Sequence, residues 1–164
     1  MKRMYYISLG SNQGDRAHFL QSAAEDMKKA GIQVTAVSSL YETPPWGYTE
    51  QAPFLNAAAA AVWDGPAEAL LREMLRIEKA HGRTREIHWG PRTLDLDLLY
   101  GDGLECRSDF LTLPHPFFWD RAFVLVPLAE IAPDFRFRGE SIRHRIGTLS
   151  DAERIVKYKE WIWG

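Results

Sequence analysis

Apolar residues along this chain follow two rhythms, one of two residues and one of three to four, and their succession sets the expected order of elements. Met4 to Leu9 is aromatic and aliphatic and is broken at Gly10-Ser11-Asn12, which predicts a first strand ending in a turn. From Ala17 to Lys29, Phe19, Leu20, Ala23, Ala24 and Met27 recur at three and four. Asp15 is placed to cap that helix, and Gly31 suits the position just past its end. Ile32 to Tyr41 carries Val34, Val37 and Leu40 among small polar residues and predicts a second strand. Glu42 to Pro53 reads as a loop, stiffened by Pro44-Pro45 beside Trp46. Phe54 to Trp63 is apolar and predicts a third, well-buried strand, although its alanine run also favours helix.

Pro66 opens a second helix whose apolar face, Ala67, Leu70, Leu71, Met74, Leu75 and Ile77, runs to about His81. Leu94 to Tyr100 alternates leucine with aspartate, and Asp102-Gly103 predicts a hairpin into Leu104 to Ser108. A further helix is expected from Ala122 to Ile131, and the stretch from Ser141 is amphipathic but ambiguous. The order strand, helix, strand, strand, helix, strand matches the split βαβ pattern of a ferredoxin-like α+β fold. It predicts a mainly antiparallel sheet with helices packed on one side, leaving the other face or the rim for a site.

With 164 residues, 46% hydrophobic and 26% charged, the chain is expected to form one domain spanning residues 1–164 around a single core. A net charge of -2 argues against a protein that grips a nucleic-acid backbone, so any phosphate site has to be local. The lone Cys106 reads as a small, partly buried apolar residue and offers no internal disulfide. No leader-like stretch follows Met1-Lys2-Arg3, and no apolar run reaches about 18 residues. A reducing cytoplasm, no membrane partner and a monomer are the expectations.

The chemistry centres on Arg92-Thr93-Leu94-Asp95-Leu96-Asp97. On a strand the leucines share one face, and Asp95 and Asp97 share the other with α-carbons about 6.5–7 Å apart. An isolated Asp-x-Asp is ordinarily a solvated strand face. Here Arg83, Arg85 and Arg92, with Trp89, lie immediately upstream in a segment broken by Gly and Pro. Guanidinium groups bind phosphate bidentately, and paired carboxylates can converge on two Mg²⁺ ions, so together they suit a triphosphate. His115, Arg121 and Phe123 add an imidazole, a cation and a ring downstream. No phosphate-cradling Gly-x-x-x-x-Gly-Lys-Ser/Thr occurs, and neither zinc spacing nor a nucleophilic triad can be argued.

Leu9 to Asn12, Tyr41 to Pro45, Leu55-Asn56-Ala57, Glu78 with Arg83, Trp89 to Asp97 and Leu113-Pro114-His115 together resemble the 6-hydroxymethyl-7,8-dihydropterin pyrophosphokinase family over roughly residues 1–135. The resemblance implies an enzyme of folate biosynthesis that transfers the diphosphoryl group of ATP to the pterin hydroxymethyl group. It implies that Asp95 and Asp97 hold two Mg²⁺ ions, and that Arg83, Arg85, Arg92, His115 and Arg121 meet the nucleotide, with Glu78 and Thr112 nearby. Asp95, Asp97, Arg83 and Arg92 are the implied catalytic set. The pterin would stack between Phe54 and Phe123, its polar edge read by Thr43, Pro44, Trp46 and Asn56, with Trp89 closing over it. Phe54 stands where many members carry Tyr, and Pro116 where a Tyr often meets the nucleotide.

Overall fold

The computed structural model describes residues 2–43, 53–81 and 94–161. Strand β1 (Lys2–Ser11) is followed by helix α1 (Arg16–Lys29), strands β2 (Gln33–Val37), β3 (Leu40–Thr43) and β4 (Phe54–Asp64), helix α2 (Ala67–Ala80) and strand β5 (Asp95–Gly101). The sheet is antiparallel, in the order β3-β4-β1-β5, with β2 also lying along β4. This is the ferredoxin-like arrangement expected of the element order.

The first helix is capped as its sequence suggests: the Asp15 carboxylate accepts from the His18 N–H at 3.2 Å, and Gly31 takes φ +85° just past the end. Leu20, Ala23 and Met27 of α1 and Leu70, Met74 and Ile77 of α2 pack with Tyr5, Ile7, Leu9, Leu96 and Leu98 on one face of the sheet. Truncating one of these fully buried side chains to alanine costs about 2–5 kcal/mol in comparable cores. The alanine run of β4 is strand despite its helix propensity, because it is covered from both sides. Ala57, Ala59 and Ala61 face the first two helices, while Ala58 faces the opposite layer.

That opposite layer departs from the expectation that the helices share one side. Helix α3 (Ala122–Ile131) covers the other face, packing Val124, Leu125 and Leu128 against Ala58, Leu99 and Phe118, with Tyr6 and Tyr100 alongside. The expected second strand is also divided. Ser38 Oγ donates to the Ser39 carbonyl and accepts from the Ala58 N–H, while Ser39 turns its N–H and hydroxyl to the Glu130 carboxylate of α3. Ser38 still donates its N–H to the Ala58 carbonyl at 2.9 Å, but beyond it the Ser39 N–H leaves the ladder for the Glu130 side chain, so β2 ends and β3 begins anew.

Two further expectations change. The first strand does not stop at Gly10, because Gly10 and Ser11 continue the ladder opposite Asn56 and Leu55. The turn at Asp102-Gly103 forms, with a bridge from Gly101 to Leu104, but no long hairpin follows. Strand β6 (Cys106–Arg107) instead pairs with β7 (Thr112–Leu113), because Ser108 and Leu111 close their own turn through N–H and hydroxyl bonds. After α3 come the small ribbon β8 (Arg136–Phe137) and β9 (Glu140–Ser141), helix α4 (Ile142–Thr148) and strand β10 (Val156–Lys159), which adds to the free side of β3. Among the described residues, no helix is long and apolar enough to cross a membrane.

Candidate active site

Register alone assembles half of the site. Cross-strand partners share a face, so the pairings Gly10↔Asp95, Ser8↔Asp97, Gly10↔Asn56, Tyr41↔Asn56 and Thr43↔Phe54 place Asp95, Asp97, Asn56, Thr43 and Phe54 on one side of the sheet. It is the α3 side, since Tyr41 donates its hydroxyl to Glu130 there. The leucines that alternate with the aspartates, Leu94, Leu96 and Leu98, are buried on the reverse side, as their alternation required.

Asn56 and Thr43 are almost wholly buried, and the Asn56 Nδ2 donates to Thr43 Oγ1 at 2.8 Å. The Asn56 Oδ1 lies over Gly10, where an added Cβ would sit 2.7 Å from it, so this position admits only glycine without displacement. Asn56 and Asp95 flank Gly10 on its two sides, two strand spacings or about 10 Å apart.

The other half comes from the chain entering α3. The His115 N–H donates to the Leu99 carbonyl at 2.7 Å, tying the segment to the end of β5. His115 Nδ1 accepts the Phe117 N–H at 3.2 Å, so the neutral ring carries its proton on Nε2. Burial pulls the imidazole down to about 4; the Arg121 guanidinium pulls the same way, and Asp95 opposes both. The ring is therefore an uncharged donor at neutral pH. The Arg121 guanidinium lies over both Phe117 and Phe123, with its carbon 5.6 and 5.9 Å from the ring centroids. Thr112 lines an open cleft of about 570 Å³ with Arg107, Pro114, Pro116 and Arg138, on the flank of His115.

The structure thus brings together Asp95, Asp97, Thr43, Phe54, Asn56, His115, Arg121 and Phe123, with Thr112 at the margin. Glu78 lies on α2 and gives its carboxylate to the Leu96 N–H. Pro44, Trp46, Arg83, Arg85, Trp89 and Arg92 lie outside the described residues.

Residues 6–133 match the family model for 7,8-dihydro-6-hydroxymethylpterin-pyrophosphokinase. The chain is 48% identical over 153 residues to the 2-amino-4-hydroxy-6-hydroxymethyldihydropteridine pyrophosphokinase of Methylorubrum extorquens, covering 92% of this chain and 97% of that one. It is 46% identical over 163 residues to the Bacillus subtilis enzyme of the same name, covering 99% and 95%. The chain belongs to the 7,8-dihydro-6-hydroxymethylpterin-pyrophosphokinase family. Its activity is pyrophosphoryl transfer from ATP to 6-hydroxymethyl-7,8-dihydropterin in folate synthesis. A crystal structure of a Plasmodium falciparum HPPK-DHPS triple mutant shares the fold at a TM-score of 0.72 and 12% identity, covering 94% of this chain and 46% of that longer one.

The donor set suits a hard divalent cation. Asp95 and Asp97 offer only oxygen, both are partly open to solvent, and among the described residues no third His, Cys, Asp or Glu joins them. Mg²⁺ keeps several waters and takes one or two carboxylates plus phosphate oxygens, so an incomplete protein shell is what it uses. Sequence reasoning missed Gly10, which looked like a turn residue, and the Glu130 latch, which no spacing announces because its partners lie about ninety residues away.

Proposed function

We propose that the face shared by β5, β1, β4 and β3 is where the two substrates meet, with Asp95 and Asp97 holding two Mg²⁺ ions. The observation that carries this reading is the single row Asp95, Gly10, Asn56 across three strands, which sets a carboxylate and an amide on either side of a residue with no side chain. Asn56 and Thr43 read the polar edge of the pterin, and Phe54 and Phe123 supply apolar rings on which a flat heterocycle stacks. His115 donates Nε2–H to a phosphate oxygen, and Arg121, lying over two aromatic rings, directs its guanidinium to the same chain of phosphates. Thr112 borders the cleft that takes the nucleoside end. Glu78, buried between α2 and the sheet and bonded to the Leu96 N–H, stands behind the site rather than beside the nucleotide, and Arg83, Arg85, Arg92, Trp89, Pro44 and Trp46 complete the two substrate shells.

The pterin hydroxyl attacks the β-phosphorus of ATP in line, forming the new O–P bond as the bond to the α-phosphate oxygen breaks; AMP leaves with that oxygen, and the hydroxyl proton is released to solvent. When bound, the cations polarise the β-phosphoryl oxygens and offset the charge of the triphosphate. The protein's own part is placement: side chains anchored on strands and on a helix start hold both substrates with little reorganisation. The chain acts as one domain and as a monomer, in the cytoplasm. Incubation with Mg-ATP and 6-hydroxymethyl-7,8-dihydropterin tests the transfer itself, and AMP with the pterin diphosphate is expected. ADP or pyrophosphate as the nucleotide-derived product would refute this chemistry. Loss of turnover in Asp95→Asn and Asp97→Asn at saturating Mg²⁺ tests the metal assignment.

A further inference from the structure

Among the described residues, Glu78 is the only buried charged side chain, 2% exposed between α2 and the sheet. Its Oε2 accepts the Leu96 backbone N–H at 2.7 Å. That amide belongs to the peptide joining Asp95 to Leu96, so the bond grips the backbone between the two aspartates. Strand β5 ends the sheet, with β1 on one side only, and α2 supplies the acceptor that a further strand would have given. Burying a carboxylate carries a desolvation penalty of several kcal/mol per ion, so a glutamate placed here has to be held by the bonds it makes. A charge-assisted bond is also shorter and roughly twice as strong as a neutral one. It holds the peptide plane hard, and site groups need placement to within about 0.5 Å.

We infer that Glu78 is a positioning residue, which acts through the Leu96 N–H to fix Asp95 and Asp97 for the metal ions. The inference rests on the proposed metal role of those two aspartates. Outer groups that orient ligands change metal affinity by about 10- to 100-fold when lost, and Glu78 works on the backbone of its ligands in the same way.

The test is Mn²⁺ binding, read from the free-ion electron paramagnetic resonance signal with a non-hydrolysable ATP analogue present and an analogue-only control. It compares the native protein with Glu78→Gln, Glu78→Leu and Asp97→Asn, each checked for folding by circular dichroism. Glu78→Leu is expected to weaken Mn²⁺ binding about tenfold or more, with Glu78→Gln in between, because the amide oxygen still accepts but carries no charge. The Leu96 amide proton resonance should move upfield in Glu78→Gln as its bond weakens. Mn²⁺ affinity within twofold of native in folded Glu78→Leu, while Asp97→Asn loses it, would overturn the inference. Native affinity in Asp97→Asn would overturn the metal assignment itself, and the role of Glu78 with it. Should Glu78→Leu fail to fold, unchanged Mn²⁺ affinity in Glu78→Gln would be the overturning result.

Discussion

Replacing Gly10 with alanine offers a direct test of how the pterin end of the site is built. The new Cβ would stand 2.7 Å from Asn56 Oδ1, whereas ordinary contact begins near 3.4 Å, so the amide has to retreat by about 0.7 Å. Asn56 is 4% exposed and pinned by its 2.8 Å bond to Thr43 Oγ1, itself 2% exposed. Moving the carboxamide that far stretches this bond beyond useful length and leaves a buried donor poorly matched, at about 1–3 kcal/mol. If the same carboxamide reads the pterin, the loss falls on pterin binding, roughly 5- to 150-fold in dissociation constant. Isothermal titration calorimetry with the pterin in the presence of a non-hydrolysable ATP analogue measures it, and the analogue alone should bind Gly10→Ala as it binds the native chain. Pterin affinity within twofold of native, in a variant that melts normally, would show that the Asn56 amide does not form the recognition edge.

Three other outcomes follow from the geometry. His115 should show no protonation step between pH 5.5 and 8 in an NMR titration. Because its folded value near 4 lies below the ordinary 6.5, stability is fully present above 6.5 and falls as pH drops towards 4, by up to about 3 kcal/mol less whatever solvent screens, which urea midpoints across that range would register. Burial raises the Glu130 carboxyl, but bonds from Tyr41 and Ser39 outweigh it and hold it below its ordinary 4.5. Its stabilisation is therefore present above that pH and lost below it, and Glu130→Ala should lower the melting temperature by roughly 2–8 °C at pH 7. Arg16 donates to the Pro53 carbonyl at 3.0 Å, pairs with Glu42 at 2.9 Å and lies over the Tyr158 ring, so it ties Glu42, next to Thr43, to Pro53, next to Phe54. Arg16→Met should raise the KM for the pterin several-fold and leave that for ATP unchanged in steady-state assays, since a partly exposed pair of this kind is worth about 1 kcal/mol.

Much of the frame was legible in the chain because local rules and the global fold agree. The Asp15 cap, Gly31 and the leucine-aspartate alternation each state their own geometry, and the structure repeats it, while Pro66, expected as the first residue of α2, sits one position earlier as its extended N-cap. The alanine run of β4 was ambiguous for a physical reason: small residues serve a helix or a doubly covered strand, and only tertiary contact decides. Where the reading failed, distant partners had won. Gly10 is held in the ladder by Asn56, and the break at Ser38-Ser39 answers to Glu130, far along the chain. The site was readable as a motif around Asp95 and Asp97. Its assembly was not, because register across three strands brings Asn56 opposite Gly10 and Asp95 beside it.

Helix α3 carries Phe123 in its first turn, with Arg121 at its cap, and Glu130 near its last residue, about 13 Å away along the axis. The far end is fastened to Ser39 and Tyr41, so the near end is presented by a braced rod rather than by a free strap. The conformational entropy of ordering that rod is surrendered during folding, so on the proposed reading the nucleotide would meet Arg121, and the pterin Phe123, already in place. Their arrival should then draw little on the order of this element, and whatever adaptation binding demands falls to the rest of the pocket.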